Sequence, residues 1–228
     1  MTATLTRAPG SRRTARCPTV GRVVAEQLEI ERKFDVDGGF AVPRLDGVPG
    51  VAAVADPVVH ELAAVYHDTP DLRLVRARVT LRRRTGGPDE GWHLKLPAGA
   101  ARRELHAPLA AGTDVAPPEL VDVVAGLLAG EVPAPVVTMR TRRVVTALRD
   151  DAGRVLAELA DDTVTATVPA GAGAAPEVRS WRELEVELVD GPEAVLAAVG
   201  EVLLAAGARP SPRASKLALA LSSRLGGG

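Results

Sequence analysis

The sequence predicts an α+β domain whose strands form an antiparallel barrel, and three observations carry that prediction. Segments that alternate polar and apolar residues recur from Gln27 to Val189. They follow one another in hairpin order around Gly, Pro and Asp turns, and only a few segments read as helices. The balance of 46% hydrophobic and 25% charged residues over 228 positions is that of a globular chain with enough length for a sizeable core. That core has to come mainly from Val, Leu and Ala, because Phe34, Phe40, Tyr66, Trp92 and Trp181 are all the Phe, Tyr and Trp there are.

Residues 1–26 carry Arg7, Arg12, Arg13, Arg16 and Arg22 among Thr, Pro, Gly and Ala, without the apolar run of a secretory signal, and are expected to be a flexible arginine-rich tail. Residues 27–225 are expected to form a single domain. Its first strand starts at Gln27, with Gln27, Glu29, Glu31 and Lys33 on one side and Leu28, Ile30 and Phe34 on the other. Pro43 to Pro57 is a Pro/Gly-punctuated loop. Val58 to Tyr66 and Leu74 to Arg84 read as strands around Asp68-Thr69-Pro70-Asp71, and Thr85 to Asp89 turns the chain into a strand over Trp92 to Leu96. Arg102 to His106 is a short strand. Pro117-Pro118-Glu119 opens a helix to about Gly130. Val136 to Leu148 and Val155 to Val164 flank the hairpin turn Asp150-Asp151-Ala152-Gly153. Trp181 to Val189 is the last strand, Pro192 to Ala206 a helix stopped by Gly207, and Ser215 to Leu225 closes the fold.

Composition narrows the function. A net charge of -1 lacks the basic excess of a nucleic-acid binder, and so few aromatic residues offer little surface on which to stack bases. The most apolar window, Ala194 to Ala208, is interrupted by Glu201 and too short for a membrane span. Cys17 stands alone, which suits a reducing, cytoplasmic setting. There is no G-x-x-x-x-G-K-[ST] loop, no G-x-G-x-x-G, no G-x-S-x-G elbow and no HExxH pair, so the common nucleotide, serine-hydrolase and zinc-protease sites are absent. His60, His67, His93 and His106 read as structural or peripheral.

The informative feature is the segregation of charge on strand faces. Glu29 and Glu31 share a face, as do Glu158 and Asp162, and Glu183, Glu185 and Glu187; Arg82 goes with Arg84, Arg140 with Arg142, and His93 with Lys95. Residues at i and i+2 stand roughly 7 Å apart on a strand face, so rows of like charge repel unless opposite charge lies among them. Facing Arg/Lys strands or multivalent cations supply that charge, and carboxylates suit hard cations such as Mg²⁺, Mn²⁺ or Ca²⁺. If these faces line the inside of a barrel, the natural guest is a highly anionic ligand carried with divalent cations. Arginine is suited to phosphate oxygens, and lysine, which occurs here only as Lys33, Lys95 and Lys216, adds a point charge.

Glu29-Ile30-Glu31-Arg32-Lys33 resembles the ExExK signature of the CYTH family, the triphosphate tunnel metalloenzymes. The resemblance continues in family order through Tyr66-His67-Asp68-Thr69-Pro70, Leu81-Arg82-Arg83-Arg84, Trp92-His93-Leu94-Lys95, Arg103-Glu104-Leu105, Glu158 to Asp162, Glu183 to Glu187 and Ser215-Lys216, and takes in all three lysines. It implies a closed eight-stranded antiparallel β-barrel, a tunnel with a few flanking helices, that binds a triphosphate-containing small molecule with Mg²⁺ or Mn²⁺. By matching position, Glu29, Glu31, Glu104, Glu158, Asp162, Glu183 and Glu185 are the implied metal-site acids. The register of the last set is open because Glu187 follows. Lys33, Arg82, Arg84, Lys95, Arg140, Arg142 and Lys216 are the implied phosphate clamp, and Glu29, Glu31 and Lys33 the catalytic group. The expected reaction is metal-dependent hydrolysis of inorganic triphosphate to diphosphate and phosphate, a phosphoryl transfer that needs positioning and charge neutralisation more than a covalent nucleophile. Thiamine triphosphate, nucleoside triphosphates, cyclisation of ATP as in an adenylate cyclase, and a non-catalytic polyphosphate-binding module remain alternatives.

Overall fold

The computed structural model describes residues 24–110, 114–170, 175–213 and 215–226. Cys17 and the arginines of the expected tail lie outside these residues. Strand β1 (Ala25–Glu29) begins inside the segment expected to be tail, and Ile30 separates it from β2 (Glu31–Val36). Then come β3 (Ala53–Val54), β4 (Val58–Asp68), helix α1 (Arg73–Arg76), β5 (Thr80–Thr85), β6 (Gly91–Ala98) and β7 (Ala101–Ala107). Helices α2 (Pro118–Val123) and α3 (Ala125–Leu128) lead to the long strands β8 (Ala134–Arg149), β9 (Val155–Val168) and β10 (Glu177–Leu188). The chain ends in α4 (Glu193–Ala205), β11 (Arg209–Pro210), α5 (Lys216–Ala220) and α6 (Ser222–Leu225).

The strands pair antiparallel in the order β1-β7-β6-β5-β4-β8-β9-β10-β2-β11, with β3 added on β8. This sheet curls into an open half-barrel, which corrects the closed eight-stranded barrel expected from the sequence. The physical reason lies at Ile30. β1 pairs with β7 and β2 pairs with β10, so the two parts of the first strand stand near opposite ends of the order. They are joined through the chain at Ile30 and not by a ladder.

Other differences are local. The expected strand from Leu74 is instead α1 followed by β5, because the buried Asp68 carboxylate accepts the backbone N–H groups of Leu74 and Val75 at 2.9 Å each and turns the chain helically. Arg76 therefore lies on a helix. The helix expected from Pro117 to Gly130 breaks at Val124 into α2 and α3, and the closing segment breaks at Leu221 into α5 and α6.

The strand alternation is inverted relative to an ordinary barrel: charge lines the concave side and apolar residues the convex side. The apolar side needs covers, and the helices supply them. Helix α4 buries Val195, Leu196, Val199 and Leu203 against Phe34, Leu184 and Val186. Helices α2 and α3 bury Leu120, Val124 and Leu128 with Leu81, Trp92, Leu94 and Leu105. A third cluster fills one end of the half-barrel, where Leu217, Ala220 and Leu221 pack with Tyr66, Val137, Met139, Val164 and Ala166. This plug is what carries Lys216, the first residue of α5, to the charged interior. Among the described residues no helix is long and apolar enough to cross a membrane.

Candidate active site

A cavity of about 100 Å³ on the concave side gathers charge of both signs from seven strands and a helix. Its cations are Lys33 from β2, Arg82 and Arg84 from β5, Lys95 from β6, Arg102 from β7, Arg143 from β8 and Lys216 from α5; its acids are Glu29, Glu31, Glu104, Glu185, Glu187 and, from the β5–β6 turn, Asp89. Gln27, Tyr66, Thr80 and Ser215 complete the lining.

Register explains the convergence. Across β2, β10 and β9, Glu31 lies opposite Glu187 and Glu187 opposite Glu158, while Lys33 lies opposite Glu185. Lys95 lies opposite both Thr80 and Glu104. The plug adds Lys216, whose ammonium stands 2.5 Å from Glu183 Oε1, 2.7 Å from Glu185 Oε1 and 3.0 Å from Asp162 Oδ2. Arg143 donates to both oxygens of Asp162 at 2.8 and 2.6 Å and to Glu185 Oε2 at 2.7 Å. Lys33 joins Glu185 and stands 3.0 Å from Glu31. Burial alone pushes the Glu185 carboxyl up, but Lys216, Lys33 and Arg143 outweigh it and hold it well below the usual range. The same pairs hold Lys216 well above its usual range against burial.

On the opposite wall the acids Glu29 and Glu104 share the Lys95 ammonium. Lys95 donates to the two oxygens of Glu29 at 2.5 and 2.7 Å and reaches Glu104 only at 3.7 Å. Burial, and then the neighbouring Glu104 carboxyl, push Glu29 up to about 8. Burial, with Glu31, Glu185 and Glu104 around it, likewise raises Glu187. His93 Nδ1 sits 2.7 Å from Glu104 Oε1, and burial followed by Arg82 and Arg84 lowers this histidine to about 3, so it is neutral.

These two groups of acids differ in their fit to a metal. Among the described residues, Asp162, Glu183 and Glu185 bring ligand oxygens within 4.8 Å of one another, but Lys216, Arg143 and Lys33 already occupy them. Glu29 and Glu104 meet carboxyl to carboxyl with the Lys95 ammonium between them, and Glu31 and Glu187 face each other across the β2–β10 ladder. Carboxylates brought together this way require a proton or a cation, and their hard oxygens fit Mg²⁺ or Mn²⁺ better than zinc.

Of the residues singled out from the sequence, Glu29, Glu31, Lys33, Arg82, Arg84, Lys95, Glu104, Glu185 and Lys216 meet at this cavity. Asp162 and Glu183 stand behind it as partners of Lys216. Glu158 lies in an adjoining opening of about 420 Å³, which shares Arg84, Asp89, Arg143 and Glu187 with the central cavity. Arg140 and Arg142 are not brought to the cavity: both are exposed on the other face of β8, and Arg142 faces Glu61 there. The inward parity of β8 is Val137, Met139, Thr141 and Arg143, so Arg143 takes the place expected of its neighbours. Sequence reasoning passed over Arg143, Asp89, Thr80 and Ser215, and left Glu187 as a question of register. Parity with the apolar Val137 and Met139 was the signal that could have found Arg143.

The model of the CYTH domain family matches residues 27–216, most of the chain and every strand that lines the cavity. The chain belongs to the CYTH family. Two uncharacterised Mycobacterium tuberculosis proteins, from strains CDC 1551 and H37Rv, are each 44% identical to it over 210 residues. The matched region is 87% of this chain but 41% of each relative, so the CYTH domain spans about two fifths of the length of the curated relatives it matches. Among solved structures, a Bacillus halodurans protein named for adenylate cyclase aligns over 84% of this chain and 96% of its own with a TM-score of 0.58. At 18% identity that likeness speaks for the fold of the CYTH domain and not for its substrate.

Proposed function

We propose that this CYTH domain is a divalent-metal-dependent triphosphatase that hydrolyses inorganic triphosphate to diphosphate and phosphate. One observation carries the reading: seven cationic side chains and a set of crowded carboxylates converge on one small cavity in which, among the described residues, Tyr66 is the one aromatic lining side chain. The cations suit a compact polyanion, and the lack of stacking surface suits one without a base or thiazolium ring.

Most of these cations are engaged by carboxylates. A triphosphate that takes Lys33, Lys95, Arg143 and Lys216 leaves those acids without partners unless a second cation arrives with it. Glu29, Glu31, Glu104 and Glu187 are the residues that would hold Mg²⁺ or Mn²⁺, whose chemistry there is neutralisation of phosphate oxygens and polarisation of water. Arg82, Arg84 and Arg143 orient the phosphoryl groups, with the Arg82 guanidinium directed 3.4 Å from Tyr66 Oη at the plugged end. Lys33 and Lys216 stand where charge moves onto the leaving diphosphate as the bond between phosphorus and bridging oxygen breaks and water adds in line.

The test is phosphate release from inorganic triphosphate, thiamine triphosphate and ATP, each with Mg²⁺ and with Mn²⁺. The reading expects inorganic triphosphate to be the best substrate, chelator to abolish turnover, and Glu29→Gln and Glu31→Gln each to lower it on the order of 100-fold. A preference for ATP or thiamine triphosphate would overturn the substrate, cyclic AMP among the products would favour a cyclase, and stabilisation by triphosphate without turnover would favour a binding module.

A further inference from the structure

The β5–β6 turn places an acid inside the phosphate clamp. Gly86 and Gly87 adopt φ of +78° and +82°, and a Cβ on Gly86 would meet Glu61 O at 2.1 Å, so the turn lies directly against β4. The Gly86 N–H donates to Glu90 Oε1 at 2.6 Å, His93 Nε2 is 3.0 Å from the Asp89 carbonyl oxygen, and His106 Nε2 is 3.2 Å from that of Glu90. Asp89 is therefore held in place, and its carboxylate pairs with the Arg84 guanidinium. The two partners differ in exposure: the Arg84 side chain is 6% exposed, that of Asp89 54%. The acid reaches inward from the rim between the central cavity and the adjoining opening, both of which it lines.

Arg84 calls for an anion. Its buried Nε has no hydrogen-bond partner, and neither has Nε of Arg82 beside it. Burial, and then Arg82 and Arg143 close by, lower the Arg84 guanidinium to about 9. Asp89 partly answers that need with its carboxylate.

We propose that Asp89 is a built-in competitor for the clamp: its carboxylate holds Arg84 until a phosphoryl group displaces it to the rim. This inference rests on the triphosphatase reading. It makes Asp89 a positioning residue that weakens anion binding, admits polyphosphates in preference to weaker anions, and reclaims Arg84 when products leave. Apparent affinity is reduced by the fraction of molecules in which the competitor sits in the site, so removing its charge tightens binding.

The experiment is calorimetric titration of inorganic triphosphate, without divalent metal so that no turnover occurs, into the full chain and into Asp89→Asn, Asp89→Ser and Asp89→Glu. We expect Kd to fall roughly tenfold in the Asn and Ser variants and to stay within about twofold in the Glu variant. A gain in affinity is not what structural damage produces. Unchanged or weaker binding in either neutral variant, with its melting transition intact, overturns the inference alone. Absence of triphosphate binding in the parent chain and in every variant overturns this inference, and the triphosphatase reading falls with it when Mg²⁺ or Mn²⁺ then brings no phosphate release from triphosphate.

Discussion

At the scale of single residues, Arg143 and its neighbours Arg140 and Arg142 differ by parity, and parity decides whether a guanidinium meets the charged cavity or the outside of the half-barrel. Arg143 bonds Asp162 and Glu185 inside the half-barrel, while Arg140 and Arg142 are exposed on the other side of the same strand. Arg143→Ala is expected to lower kcat/KM for triphosphate on the order of 100-fold, and Arg140→Ala to leave it within about twofold, in the same phosphate-release assay. Equal losses would mean that the inward face of β8 has been wrongly assigned. The run Arg140-Thr141-Arg142-Arg143 offers arginine at both parities, so alternation of charge could not choose. The choice is made further along the strand, where Val137 and Met139 belong to the apolar plug and set the inward phase. For Glu29, Glu31 and Lys95 the neighbours Leu28, Ile30, Leu94 and Leu96 are apolar and fix the phase, whereas Arg32 and Arg83 interrupt the alternation beside Lys33, Arg82 and Arg84, whose place follows from Phe34 and Leu81 on the other parity.

At the scale of elements, the strands with strict alternation were legible and the segments governed by a single tertiary bond were not. Arg76, Ala77, Arg78 and Val79 alternate as a strand would, yet Asp68 captures the N–H groups of Leu74 and Val75 and winds the chain into α1. A buried carboxylate that outbids a sheet ladder leaves no periodicity to read. The turn after β5 depends on glycine for a reason that can be measured: at Gly86 an added Cβ would meet a backbone oxygen at 2.1 Å in a conformation of φ +78°. Gly86→Ala should destabilise the protein by at least about 2 kcal/mol in denaturant unfolding, since both the clash and the left-handed backbone must be accommodated. A loss below a few tenths of a kcal/mol would show that the turn is free to move away from β4, and that Asp89 is not held as described.

At the scale of the whole molecule, the half-barrel places its charge inside and its apolar surface under α2, α3, α4 and the plug, so the interior that stabilises most folds is here reserved for a ligand. Strand alternation makes the charged face visible in sequence but says nothing about whether the first and last strands pair; the passage through Ile30, which leaves the sheet open, depends on curvature accumulated over all the strands. On the triphosphatase reading we propose, the inward charges exchange partners together, triphosphate taking the ammonium and guanidinium groups as a divalent cation takes the carboxylates. Linked exchange of this kind makes each ligand tighten the other. The direct measurement is the melting temperature of the chain with triphosphate alone, with Mg²⁺ or Mn²⁺ alone, and with both. The predicted result is a rise with both that exceeds the sum of the separate rises, and separate rises that simply add, or triphosphate acting fully without metal, would contradict it.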